Sequence, residues 1–184
     1  IKMIPLYKKL KESENLQPIL VSTGQHREML NSLFELFEVK PDVDLDIMKK
    51  GQDLTDITTR VLLSMRYLIK SVEPSLILVH GDTTTAFASA LAGFYNGVEI
   101  GHIEAGLRTY NLKSPYPEEF NRQGIDRMAK YFFCPTETSK DNLEQEVLNK
   151  GSELFVTGNT VIDALLEVAG KVEAKEGRPY ILVT

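Results

Sequence analysis

Cysteine is nearly absent from this sequence. Cys134 is the only one, so no disulfide framework can staple the fold, and a reducing compartment is expected. Within the apolar run 131–134 it reads as a buried core thiol. No apolar stretch approaches the roughly 20 residues that cross a bilayer, and no signal-peptide pattern is read at the start. The expectation is a cytoplasmic protein without a membrane partner. Basic residues are outnumbered, 21 Lys and Arg against 26 Asp and Glu, for a formal net charge of −5. A nucleic-acid partner would call for a basic face, so that class is set aside, whereas an anionic substrate needs only local Arg or Lys. Low-complexity tracts and internal repeats are missing too. So are G-x-G-x-x-G and Walker sequences, which leaves a hydride-transfer cofactor or a P-loop nucleotide without a seat; no cofactor is expected. No G-x-S-x-G elbow, HExxH or cysteine pair appears either.

What remains is an ordinary globular composition, 42% hydrophobic and 26% charged over 184 residues, enough for a sizeable core. Helical periodicity covers 1–11, with Ile1, Ile4, Tyr7 and Leu10 on one face, and returns over 27–37. A short strand is expected at 16–21, and alternation of Val43, Leu45 and Ile47 with aspartates predicts another. A long helix follows over 54–72, with Asp53 as N-cap and Pro74 as stop. Strands at 76–79, 98–103, 131–134 and 155–156 alternate with helices at 83–90, 120–129, a segment capped by Thr138 or Ser139 and ending near Gly151, and 161–172. Residues 173–178 read as a charged linker and 180–183 as a strand with no helix after it. Strand–loop–helix alternation predicts an α/β fold: a Rossmann-like, mainly parallel sheet with helices on both faces and right-handed crossovers. An opening helix without a preceding strand, and a closing strand without its crossover, suggest one domain of a two-domain protein. On that expectation 1–172 is a Rossmann-like N-terminal domain lacking its first strand, and 173–184 leads into a missing domain.

The organising stretch is 76–122. A buried strand delivers His80, Gly81 and Asp82 to a helix start; a second ends at Glu104, Ala105 and Gly106; a Pro-bounded loop leads to Pro117, Glu118 and Glu119. Acids are thus offered at element ends, where open α/β sheets bind ligands. Asp82 reads either as a cap for the next helix or as a functional acid. Glu104 has little capping work available. Glu118, after Pro117, suits a helix dipole as well as a site. Arg108 and Arg122 either pair with these acids or hold a diphosphate by forked hydrogen bonds. A rival reading places His80 with Asp82, and His102 with Glu104, on one strand face as metal ligands, which would make a metal-dependent hydrolase. His26, in a strand-end loop, stands alone.

Six strings then converge: TGQHREML (23–30), HGDTTT (80–85), HIEAGLRT (102–109), PEEFNR (117–122), PTETS (135–139) and TGNTVIDAL (157–165). Together, in order and spanning nearly the whole chain, they resemble the non-hydrolysing UDP-N-acetylglucosamine 2-epimerases. The resemblance implies the N-terminal half of a glycosyltransferase-B-type fold, a UDP-sugar substrate in a cleft shared with a C-terminal domain of the same chain, and a homodimer. It implies interconversion of UDP-N-acetylglucosamine and UDP-N-acetylmannosamine through a 2-acetamidoglucal, serving polysaccharide synthesis. By the match Asp82 and Glu118 are acid/base residues, Glu104 supports the oxocarbenium ion or proton transfer, and Lys2, Arg122 and His26 bind substrate. Gln25 matches a residue of the family's allosteric pocket, but Glu28 and Gly51 depart from it. Relatives that hydrolyse the intermediate or act on UDP-2,3-diacetamido-glucuronate stay open. So do a glycosyltransferase of the same fold and a non-catalytic sugar-nucleotide binder.

Overall fold

The structure, a computed structural model, describes residues 1–24, 27–146 and 148–172. Thirteen elements follow one another in them: α1 (Met3–Lys11), β1 (Val21–Ser22), α2 (Arg27–Leu36), β2 (Val43–Asp44), α3 (Leu54–Val72), β3 (Leu76–His80), α4 (Thr84–Tyr95), β4 (Glu99–Ile103), α5 (Glu118–Met128), β5 (Tyr131–Cys134), α6 (Glu137–Glu144), β6 (Glu153–Val156) and α7 (Val161–Ala169). Strands β3, β4, β5 and β6 lie in chain order in one parallel sheet, and β1 pairs in parallel with β2 in a separate ladder. The parallel α/β architecture expected from strand–helix alternation is therefore present.

Local chemistry explains most boundaries. Asp53 caps α3 by accepting from Asp56 N at 2.8 Å, and Asp56 returns a bond to Asp53 N, a reciprocal capping box. The α3 stripe of Val61, Met65 and Ile69 packs on the small Ala88 and Ala92 of α4. The other α4 face joins Val79, Ile100, Ile125, Phe132, Cys134 and Leu143 in the main core. Cys134 is buried there as expected, and burial pushes its thiol up to about 11. A third cluster of Ile4, Phe37 and Ala164 brings α7 back onto α1.

Two expected strands shrink. Of 16–21 only the end is paired, because Pro18 lacks an N–H and Leu20 N donates to the Asp42 carboxylate at 2.7 Å instead of a ladder. The alternation at 43–47 forms just two ladder residues, since Asp46 turns the chain at φ +45°. The cap expected at Thr138 or Ser139 is Thr136, whose Oγ accepts from Ser139 N at 3.2 Å; α6 ends at Glu144, well short of Gly151. Beyond that end the chain presents Glu146 to Arg108. Residues 173–184, with the expected linker and strand, lie outside the described residues.

One glycine is forced by space. Gly106 has φ +84°, and a Cβ there would lie 2.0 Å from the Ser139 carbonyl oxygen, a backbone atom that cannot swing aside. Gly106→Ala is expected to cost on the order of 3 kcal/mol, combining left-handed strain with overpacking. Urea unfolding checks this, and a midpoint within error of wild type would refute it.

Candidate active site

Strand order alone sets the ends of β3 and β4 side by side, with His80 in register with Ile103. Just past these ends Gly81 turns at φ +63° and Glu104 at φ +66°. The left-handed conformation is natural for glycine but costly for glutamate, and such strain is held where the surroundings over-determine it. Here they do. Glu104 Oε1 accepts from Lys2 Nζ at 2.5 Å and from Asn159 Nδ2 at 3.2 Å, while Oε2 lies 3.5 Å from His80 Nε2. The amide of Asn159 is oriented by Val161 N, which donates to its Oδ1 at 3.1 Å at the start of α7.

Asp82 is not the cap of α4. Thr83 does that work, accepting from Ala86 N at 3.1 Å, so the capping reading of Asp82 is corrected. The carboxylate instead meets Arg122 Nη2 at 2.6 Å, and Asn121 Nδ2 donates to the Asp82 carbonyl at 2.9 Å. Both partners come from α5, whose first residue is Glu118. Burial raises the Asp82 carboxyl above its ordinary value; Arg122 and His102 oppose this, while Glu118 and Glu104 add to it. Burial likewise lowers His80, against the pull of Glu104, so its imidazole is neutral at pH 7. Two acids of the cluster thus sit in unlike surroundings, Asp82 half-buried against a guanidinium and Glu104 bonded to an ammonium.

Lys2, Asp82, Glu104, Glu118 and Arg122 are therefore gathered at one end of the sheet by contacts or by charges felt at Asp82. His26 and Gln25 lie outside the described residues. Of the two readings of Arg108, pairing with acids holds, though with Asp126 and Glu146, and the diphosphate reading is withdrawn. Its side chain is fully buried, with Nη2 2.6 Å from Asp126 Oδ2 and Nε 2.7 Å from Glu146 Oε1. His102 is equally buried, its Nδ1 2.5 Å from Asp126 Oδ1 and its Nε2 2.8 Å from the Gly81 carbonyl. With both ring nitrogens engaged, it has no lone pair for a metal, and the His102–Glu104 ligand pair is withdrawn. Asn159 and the His80–Glu104 contact escaped sequence reasoning. Their signal was TGNT, a polar strand end like HGDT, though nothing in spacing joins 159 to 104.

Glu119, next to Glu118, serves the loop. It accepts from Thr109 N at 3.1 Å, Tyr110 N at 2.9 Å and Gln123 Nε2 at 2.8 Å. Burial disfavours its charge, but these donations outweigh that and hold the carboxyl below its ordinary 4.5. Because the folded value is depressed, the stability it contributes is present above pH 4.5 and lost as pH falls through the folded value. Amide exchange at Thr109 and Tyr110 should accelerate, relative to intrinsic rates, on acidification below that point. Glu119→Gln should remove the dependence and cost about 1–3 kcal/mol. Exchange protection that ignores pH would refute the assignment.

Comparison with known proteins identifies relatives of the chain. A family model described as UDP-N-acetylglucosamine 2-epimerase matches residues 8–184. A UDP-N-acetylglucosamine 2-epimerase of Yersinia pestis is 50% identical over 94% of this chain and 46% of its own length. The enzyme of that name from Escherichia coli K12 is 48% identical over 96% and 46%. Among solved structures, the UDP-GlcNAc 2-epimerase of Neisseria meningitidis, bound to UDP-GlcNAc, superposes with TM-score 0.87 at 48% identity, covering 92% of this chain and 46% of that one. A Methanocaldococcus jannaschii UDP-GlcNAc 2-epimerase in complex with UDP-GlcNAc and UDP gives 0.84 at 31% identity, covering 94% and 48%. The chain spans about half the length of the curated relatives it matches. With a parallel sheet that superposes on theirs and a family match over nearly its whole length, this chain belongs to the UDP-N-acetylglucosamine 2-epimerase family.

Proposed function

We propose that this chain is the N-terminal half of an enzyme that interconverts UDP-N-acetylglucosamine and UDP-N-acetylmannosamine. The carrying observation is that acids from three elements meet at one sheet end, one of them bonded to Lys2 and another to Arg122. The C2 proton of the sugar is not adjacent to a carbonyl, so its direct removal would leave an unstabilised carbanion. Elimination avoids this. A base takes the C2 proton, the C–H electrons form the C1–C2 double bond, and the C1–oxygen bond breaks to release UDP. Re-addition of UDP at C1, with a proton delivered to the opposite face of C2, completes inversion. Asp82 and Glu118 are assigned to the proton transfers at C2. Glu104, bonded to Lys2, supports positive charge developing at C1. Arg122 is poised to exchange Asp82 for the leaving diphosphate, and His26 is assigned to substrate contact.

In this reading residues 1–172 form the Rossmann-like domain lacking its first strand, and 173–184 lead to a C-terminal nucleotide-binding domain. The full enzyme is taken as a cytoplasmic homodimer feeding polysaccharide synthesis. The test follows UDP-N-acetylglucosamine in deuterated water with the full-length enzyme by proton NMR. Deuterium at C2 of both UDP-sugars, with the nucleotide retained, is expected. Free UDP with N-acetylmannosamine would replace this by the hydrolysing reaction, and unexchanged substrate would overturn it.

A further inference from the structure

The buried polar chain behind the acid cluster has no part in the reaction as written. Both nitrogens of His102 point at groups that accept. The Gly81 carbonyl, 2.8 Å from Nε2, has lone pairs and no proton, so Nε2 must carry one. Asp126 Oδ1, 2.5 Å from Nδ1, belongs to a carboxyl whose other oxygen accepts from the Arg108 guanidinium at 2.6 Å, the environment of a carboxylate. A proton therefore sits between Nδ1 and Oδ1 as well. We infer that His102 is a doubly protonated positioning residue: from the core, it ties the three elements that carry Asp82, Glu104 and Glu118, and it lends positive charge to the Gly81–Asp82 turn.

The ties can be traced atom by atom. His102 is in β4, two residues before Glu104. Asp126 is in α5, the helix that opens with Glu118 and carries Arg122. Gly81 follows β3 and precedes Asp82, and its peptide is clamped on both sides, N donating to Ile103 O at 2.9 Å and O accepting from His102. Rotating the imidazole would release the Gly81 carbonyl and loosen the turn from which Asp82 projects. The charges around His102 balance. Asp126 faces it from α5, and Arg108 and Glu146 close the chain, the latter through two bonds of 2.7 and 3.1 Å, so two cations meet two anions in the interior. From β3 comes His80, neutral at pH 7, and from the turn after it Asp82; from β5 comes Cys134, a neutral thiol. The charge of His102 is felt at Asp82 as a pull toward the ionised form.

The inference rests on the proposed reaction for its catalytic consequence, but its first test does not. The chain has three histidines, so nitrogen-15 spectra of labelled protein can be assigned by comparison with His26→Asn and His80→Gln. Both His102 nitrogens should show bonded protons across neutral pH. A bare nitrogen at pH 7 would overturn the inference whatever the activity. Two variants then separate the two bonds: His102→Gln retains a donor toward Gly81, and His102→Asn retains one toward Asp126. In the full-length enzyme each should lower kcat about 100-fold with KM changed less than about 3-fold, as misplacement of a reacting group does. In each, the Asp82 carboxyl, followed by carbon-13 titration, should move upward. A folded variant with wild-type kcat and an unmoved Asp82 titration would refute the positioning role. If wild-type enzyme fails to turn over the UDP-sugar, the reaction assignment falls, and the nitrogen spectrum still decides His102. Should neither variant fold, that spectrum decides alone.

Discussion

Glu104→Gln in the full-length enzyme should lower kcat by about two to four orders of magnitude while the unfolding midpoint stays near wild type. The geometry separates these effects. Glutamine has the same length and can place its carbonyl oxygen where Oε1 accepts from Lys2 and Asn159. The vacated Oε2 position becomes an amide donor beside neutral His80, whose ring can turn an acceptor toward it. The loss of charge in a partly exposed ion pair costs about 1 kcal/mol or less. Turnover has no such substitute, because an amide neither carries negative charge against a developing cation nor exchanges a proton at neutral pH. Steady-state kinetics beside thermal unfolding reads both quantities. Near-normal kcat would remove Glu104 from the site, and a large fall in stability would make it a structural residue that holds α1 and α7 to the sheet.

The second large effect is on folding. Arg108→Ala should destabilise the protein by about 3–5 kcal/mol, a large share of the roughly 5–15 kcal/mol typical of a domain. Burial disfavours the guanidinium, yet Glu146 and Asp126 hold it charged, and removing it takes a cation from two carboxylates, leaving Asp126 with His102 alone and Glu146, largely buried, without its guanidinium. An internal control is Lys9, which pairs with Glu12 while 78% exposed; Lys9→Ala should shift stability by less than about 0.5 kcal/mol. Chemical denaturation of the two variants side by side tests the contrast. Equal small shifts would mean that the buried chain carries no net stability.

Much of this architecture was legible along the chain because its causes are local. The span of α3 and its Asp53 cap lie within one helix and its first turn, and both were read correctly. The parallel sheet followed from alternation, since each apolar run needs a crossover before the next. Errors came where two local solutions competed. Asp82 and Thr83 are both cap formers, and the choice fell to Thr83 because Arg122 draws Asp82 away. Thr136 outcompetes Thr138 and Ser139 by sitting in extended backbone just after Pro135. Strand length at 16–21 was lost to Asp42, a partner 22 residues from Leu20.

The sequence by itself determined the order of elements and the kinds of groups delivered to the strand ends. These follow from periodicity, capping and backbone stereochemistry, which act over a few residues. It did not determine partners. Lys2 reaches Glu104 across 102 positions, Asn159 across 55, and His102 reaches Asp126 across 24. A hydrogen bond or ion pair depends on a few ångströms of approach, and that approach is set by which strands lie side by side and where each helix returns. Glu104 and Arg108 are four residues apart in one loop, yet one meets Lys2 near the surface and the other is sealed in the core. Only the tertiary structure separated the partly exposed acid at the sheet end from the buried cation that holds the fold.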